Sequence, residues 1–207
     1  MGSVIPFVIA LIVAVSAIYW IILKNSAASI AAQYQQLAQR FELELDQPPA
    51  KMKGFIRPEP SVYGCYRERE ISISAPGKGL QNTRQVESVL KLELKDSTLS
   101  AQLTAAGPLG GLRQRDSGGQ ARWKSGDEAF DRVVDVRTNQ AEALAALLTA
   151  ERRAWLASTL KKSKATLYIG AGKLAYAKLG LIANEATRQD FEAVAEFLCD
   201  LAETVEA

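Results

Sequence analysis

The residues best suited to chemistry are two arginines that could recognise an anionic group. Arg67 and Arg69 are two positions apart, which places both on one face of a predicted strand over residues 66–74. If that face is buried, the guanidinium groups need carboxylate partners, either within the domain or on a ligand. The simpler alternative is that this end of the strand emerges into solvent.

A second basic cluster lies in the glycine-rich segment 107–126. Its basic members are Arg113, Arg115, Arg122 and Lys124, and Trp123 lies among them. Three further lysines, Lys161, Lys162 and Lys164, lie at the end of a predicted helix. Such groups could contact anionic headgroups or a partner protein. No recognition helix or RNA-binding aromatic motif accompanies them, so we expect no nucleic-acid partner. The alternative is a solvated surface, because the net charge is only +2 and residues 185–207 are strongly acidic.

The composition excludes most familiar catalytic chemistry. The 207 residues include no histidine, which excludes His-ligated haem, His-containing zinc sites and Ser-His-Asp or Cys-His catalysis. Cys65 and Cys199 are too distant in sequence to form a CxxC metal motif. Asp127, Glu128 and Asp131 could serve acid–base chemistry or a weak cation site, but a role in a turn is simpler.

Two glycine-lysine segments fail the requirements of a phosphate loop. The segment 170–173 (Gly-Ala-Gly-Lys) has Leu167 where the first glycine is needed and Leu174 where Ser or Thr is needed. The segment 77–79 (Gly-Lys-Gly) precedes a strand rather than a helix. We therefore expect turns at both places, and no cofactor, metal or small-molecule substrate.

The first part of the chain predicts a transmembrane anchor over residues 1–24. Positions 4–23 carry no charge, and at 1.5 Å per residue they span about 30 Å, the thickness of the hydrocarbon layer. Tyr19, Trp20 and Lys24 lie at one end, as is typical of the membrane interface. A cleaved signal peptide is the main alternative, but no basic residue precedes the span and the apolar run is too long.

Positive charge close to the span predicts the orientation. Lys24 and Arg40 follow it, whereas the preceding flank has only its amine. This favours a single-pass protein of the bacterial inner membrane with a cytoplasmic domain.

Residues 25–46 are predicted to form a juxtamembrane amphipathic helix. Ile30, Tyr34, Leu37 and Phe41 recur on one face. The simpler interpretation is that this face packs on the domain, and the alternative is that it contacts the membrane or a partner. Residues 25–29 could either continue the membrane helix or break it.

Residues 47–207 are predicted to form one α+β domain with a mostly antiparallel sheet packed with helices. Strands are expected at 66–74, at 86–94 in a hairpin with 99–103, at 130–136, and in a hairpin of 164–169 with 174–178. Helices are expected after a cap at Thr138 or Asn139, after Thr149, and from Thr187 onward.

This order of features resembles uncharacterised bacterial proteins with one N-terminal membrane helix and an α+β domain. The stretches that carry the resemblance are 37–44, 64–69, 129–136 and 146–151. The resemblance implies an architecture, and no activity comes with it.

The sequence therefore favours a non-enzymatic accessory, scaffold or assembly subunit of a larger bacterial membrane complex, such as a respiratory or photosynthetic assembly. Its expected partners are membrane lipids and an integral membrane protein. The alternative function is a membrane-tethered sensor or binding module for an anionic ligand or lipid headgroup.

Overall fold

The computed structural model describes residues 4–50, 58–76, 86–95, 97–107 and 119–206. The expected turn at 77–79 and the contacts of Arg113 and Arg115 lie outside the described residues. Helices α1 to α5 span Val4–Phe41, Glu128–Val133, Ala141–Leu147, Ala150–Ser163 and Glu185–Val205. Strands β1 to β9 span Glu44–Asp46, Ser61–Tyr66, Arg69–Ser74, Glu87–Glu93, Ala101–Ala105, Ala121–Trp123, Val134–Thr138, Thr166–Gly170 and Lys173–Leu179.

The strands form a nine-stranded sheet in the order β1-β2-β3-β4-β9-β8-β5-β7-β6, and each neighbouring pair is antiparallel. In the centre, Leu90 of β4 lies opposite Tyr176 of β9, and both are fully buried. The predicted α+β class with an antiparallel sheet is confirmed.

The core lies between one face of the sheet and the helices. The large helical side chains in it include Tyr34, Phe41, Leu144 and Phe191, each at most 1% exposed. Burial of a side chain of this size stabilises the fold by about 1.5–3 kcal/mol. The apolar positions of α1, α3 and α5 therefore fix those helices on the sheet.

Helix α1 runs without a break from the apolar segment into the domain. Residues 25–29 are helical, so the chain continues rather than breaks there. Apolar side chains from Phe7 to Ile22 are exposed, whereas Ile30, Tyr34 and Leu37 are at most 5% exposed. The amphipathic stripe thus packs on the domain, as the simpler interpretation expects.

The strand predicted over residues 66–74 is confirmed from Arg69 onward as β3, but its first residues form the turn of a hairpin with β2. β2 ends at Tyr66 and β3 begins at Arg69, with Arg67 and Glu68 forming the turn at φ of 48° and 61°. Glycine and asparagine are the usual residues in such a turn. Because neither is present, the sequence pattern concealed it.

The predicted hairpin of β4 with β5 is also wrong. The hairpin of β8 and β9 lies between these strands, and the amide of Leu94 donates to the carbonyl of Gly172 at 2.9 Å. Strand alternation identifies strands but does not identify their neighbours, because all four share the same period of two.

The segment 130–136 is only partly a strand. Residues 128–133 form α2, and β7 begins at Val134. The Asp127 side chain caps α2 by accepting from the amides of Ala129 and Phe130 at 3.0 and 3.2 Å. An Asp at this position is a helix-start signal. The valines at 133, 134 and 136 nevertheless led to the prediction of a strand over the whole segment.

The cap predicted for α3 at Thr138 or Asn139 is wrong as well. Thr138 ends β7, and Gln140 occupies the cap position without a side-chain hydrogen bond. The Thr149 cap of α4 is confirmed, since its hydroxyl accepts from the amide of Arg152 at 3.3 Å. The β8–β9 hairpin and the last helix are confirmed too.

Candidate functional site

The first candidate is the joint, which we define as the contact of residues 29–41 of α1 with the domain. The Ser29 hydroxyl donates to the carbonyl of Ala183 at 2.6 Å, and Arg188 Nε donates to Gln33 Oε1 at 3.1 Å. Burial raises the pKa of Tyr34 to about 12, although the nearby Ser88 side chain opposes the shift. The joint is therefore a packed interface that also contains specific polar contacts.

The contacts along the joint give the directions of the helices. Ser29, Gln33 and Arg40 of α1 meet Ala183, Arg188 and Glu196 in that order. Helix α5 therefore runs parallel to α1, and its first turn lies at the end of the domain nearest the apolar segment. We call this end the proximal end.

The second candidate is the pair of arginines in the β2–β3 hairpin. Arg67 Nη2 lies 2.8 Å from Glu196 Oε2, and its Nη1 lies 2.7 Å from Asp200 Oδ1. Arg69 donates from both Nη atoms to the two carboxylate oxygens of Glu206. The structure thus supplies the carboxylate partners within the domain, from α5 and from Glu206, which directly follows it.

These ion pairs shift the pKa values of their members. The hydrogen bond from Arg69 lowers the pKa of the Glu206 carboxyl, and the amide of Lys95 acts in the same direction. The hydrogen bond to Asp200 raises the pKa of Arg67. An external anion would have to displace these carboxylates, so the geometry gives both arginines a role within the fold.

The basic residues near Trp123 lie at the opposite edge of the sheet, on β6. Arg122 Nε donates to Asp135 Oδ1 at 2.8 Å, and Lys124 Nζ donates to the carbonyl of Asp131 at 3.2 Å. Trp123 packs against the core. The structure does not bring these residues together with Arg67 and Arg69.

The carboxylates near Phe130 have local structural roles. Asp127 caps α2, and Asp131 accepts from Ser125 and from the amide of Gly126. Burial alone would raise the pKa of Asp131, but these hydrogen bonds lower it. Among the described residues, no group of three or more potential metal ligands is present.

The predicted interface residues lie on the exposed part of α1. Tyr19 and Trp20 are 60% and 42% exposed, and Lys24 Nζ lies 5.3 Å from the centre of the Trp20 ring. By length and composition this helix could cross a membrane, with a mean hydropathy of 2.4 and none of its apolar window buried.

A cavity of about 640 Å³ lies on the sheet around β2, β3 and β4. Its polar lining includes Tyr63, Glu70, Lys91, Glu93 and Lys173. Carboxylates and ammonium groups alternate there, so the lining favours no single charge of ligand.

The acidic residues of α5 were missed as site residues. Glu196, Asp200 and Glu206 hold the arginines, but they are far from them in sequence. The available signal was the contrast between the acidic last helix and the basic segment before it. That contrast suggests pairing without identifying the partners.

These features define a class of protein in which one continuous helix connects an apolar segment to an α+β domain. The sequence matches no family model and no curated protein. Among solved structures, it is similar to the crystal structure of the mycobacterial trehalose monomycolate transport factor A, TtfA. The TM-score is 0.57 at 11% identity, over 83% of this chain and 93% of that chain. The similarity therefore shows a shared fold.

Proposed function

We propose that this chain is a single-pass membrane protein that acts as an accessory, scaffold or assembly subunit of a larger bacterial membrane complex. The observation that carries the proposal is the unbroken helix α1. Its first part is apolar and exposed, and its last part is buried in the domain. Such a helix would hold the domain at a fixed position relative to the bilayer, which is what a scaffold requires.

The state of the polar groups supports a role without chemistry of its own. The groups with shifted pKa values include Arg67, Arg69 and Asp190, and each is engaged in ion pairs within the fold. Active sites commonly hold such groups in a cleft instead, next to the reacting atoms. A partner protein would thus supply the activity, and this chain would supply position.

The fold comparison gives independent support for an accessory role. The structure named above is called a transport factor, and nearly all of that chain has a counterpart here. By analogy of fold, we infer a role beside a membrane transporter or comparable assembly.

The proposed location is the inner membrane, with the domain in the cytoplasm. Lys24 and Arg40 follow the apolar segment and favour this orientation. The exposed face of residues 7–22 would contact lipids and an integral membrane partner.

Mild-detergent purification of the tagged full-length chain tests the proposal. We expect extraction only with detergent and co-elution with an integral membrane protein. The matched control replaces residues 4–23 with an unrelated apolar helix, which preserves anchoring but removes a specific helix–helix contact. A chain released without detergent would contradict the membrane assignment, and a chain that always elutes alone would contradict the scaffold role.

A further inference from the structure

The proximal end of the domain combines features that suit a charged bilayer surface. Helix α4 runs antiparallel to α5, because Arg152 donates to Thr204 Oγ1 at 2.6 Å while Lys162 pairs with Asp190 at 2.8 Å. The last turn of α4 therefore lies beside the first turns of α5. This brings Lys161, Lys162 and Lys164 to the proximal end.

The charges there are only partly neutralised. Lys162 and Lys178 share the single carboxylate of Asp190, which leaves this trio with an excess of one positive charge. Lys161 and Lys164 are exposed and have no ion-pair partner among the described residues. Arg188 is balanced by Glu192 and Glu185 on its own helix.

Apolar side chains are exposed at the same end. Among the described residues outside α1, the large apolar side chains that are exposed are Tyr63, Val86 and Leu179. Val86 and Leu179 lie at adjacent strand ends, where the amide of Gly180 donates to the carbonyl of Val86 at 3.0 Å. Two of these three side chains therefore mark the proximal end.

The continuous helix fixes the height of this surface. Ser29, which contacts Ala183, lies six positions after Leu23, so the proximal end begins about 9 Å beyond the apolar segment. The headgroup layer is about 5–8 Å thick on each side, and the Debye length is about 8 Å at physiological salt. Exposed lysines at this height lie within reach of anionic headgroups.

We propose that the proximal end of the domain, through Lys161, Lys164 and the exposed Leu179, rests on the anionic headgroups of the bilayer that holds α1. This inference depends on the proposed membrane anchoring of the chain. Each lysine near such a surface favours contact about fivefold. The domain would then be restricted in its tilt relative to the bilayer by a second point of attachment.

Fluorescent labelling of the full-length chain in nanodiscs tests this contact. A polarity-sensitive dye is attached to Leu179→Cys in a Cys65→Ser background, and a headgroup nitroxide quenches it in discs with or without about 30 mol % phosphatidylglycerol. Glu68→Cys, in the β2–β3 turn away from the proximal end, is the matched control position. We expect stronger quenching at position 179 only with phosphatidylglycerol, and its loss at about 1 M salt.

Charge-removing variants and a matched control test whether the lysine charges, rather than the stability of the fold, cause the contact. Lys161→Gln with Lys164→Gln should lower the ratio of docked to undocked domain about 25-fold, whereas Lys95→Gln with Lys173→Gln at the other end should not. Lys164 adopts φ of 54°, so Lys164→Gly should reduce the contact while the fold keeps or gains stability. Loss of contact without loss of stability supports the proposal.

A dye at Ile12→Cys distinguishes a failure of the proposed headgroup contact from a failure of the proposed membrane anchoring. Quenching of position 12 by acyl-chain nitroxide, with equal headgroup quenching at positions 68 and 179, would overturn the docking surface and leave the anchoring intact. Absence of quenching at position 12 would overturn both.

Discussion

Arg69 and Glu206 are joined by two parallel hydrogen bonds, from Nη1 to Oε1 at 2.5 Å and from Nη2 to Oε2 at 2.7 Å. The Arg69 side chain is 8% exposed and that of Glu206 is 19% exposed. The same carboxylate accepts from the amide of Lys95 at 2.6 Å. One side chain near the end of α5 thus fastens the helix to β3 and to the residues that follow β4.

Glu206→Gln should destabilise the domain. The amide preserves the shape but leaves a mostly buried guanidinium without its counter-charge, which we expect to lower the free energy of unfolding by about 2 kcal/mol. Urea unfolding of the full-length chain in detergent, followed by tryptophan fluorescence, measures this change in the free energy of unfolding.

Glu203→Gln is the matched control, since Glu203 is 55% exposed and lies 3.7 Å from Arg67. Its effect on the free energy of unfolding should stay below about 0.5 kcal/mol. Equal effects of the two variants would contradict the role of the bidentate pair.

The same pair predicts a pH dependence. Because Arg69 lowers the pKa of Glu206 in the folded state, its stabilising effect is complete above the unfolded pKa of about 4.3. The effect is lost as the pH falls through the lower pKa of the folded state. The difference in unfolding free energy between the native chain and Glu206→Gln should be constant from pH 6 to pH 7 and shrink below about pH 4. A difference that is unchanged at low pH would show that the charge of Glu206 does not contribute to the free energy of unfolding.

The two thiols should differ in reactivity. Cys65 is exposed on β2, whereas Cys199 is fully buried on α5, and burial raises the pKa of its thiol to about 11. Since the thiolate is the nucleophile, we expect a thiol reagent at pH 8 to modify Cys65 quickly and Cys199 only after unfolding. Mass spectrometry after timed labelling identifies the site. Cys65→Ser should leave a folded chain that resists labelling, and rapid modification of Cys199 would mean that α5 does not pack as described.

Helical and strand periodicity revealed most elements but not their contacts. The stripe of Ile30, Tyr34 and Leu37 correctly indicated a packed helix, because burial on one face leaves a period of 3.6 in the sequence. The turn at Arg67 and Glu68 left no such trace, since its backbone conformation is unusual for those residues.

The pairing of strands and of charged residues that are far apart in sequence could not be predicted either. β4 does not pair with β5, because the β8–β9 hairpin, which comes more than seventy residues later in the chain than β4, lies between them. The partners of Arg67 and Arg69 are similarly far away, on α5 and at the residue that follows it. Residue types showed that the arginines needed carboxylates, but only the fold could assign them.

Helix α1 couples the apolar segment to the domain, so a break between them should release the domain without unfolding it. Ser26→Pro removes the amide that bonds to the carbonyl of Ile22 and introduces a clash there, at a cost to the helix of about 3 kcal/mol. Ser26 is exposed and precedes the joint, so the free energy of unfolding of the domain should not change. Spin labels at Ile12→Cys and Thr98→Cys, in a Cys65→Ser background, measure the distance from the apolar segment to the domain in nanodiscs without anionic lipid, where the proposed headgroup contact does not act. We expect a narrow distance distribution for Ser26→Ala and a broad one for Ser26→Pro, because a kinked helix no longer fixes the angle between its two parts. A narrow distribution in both variants would show that contacts other than the helix hold the domain.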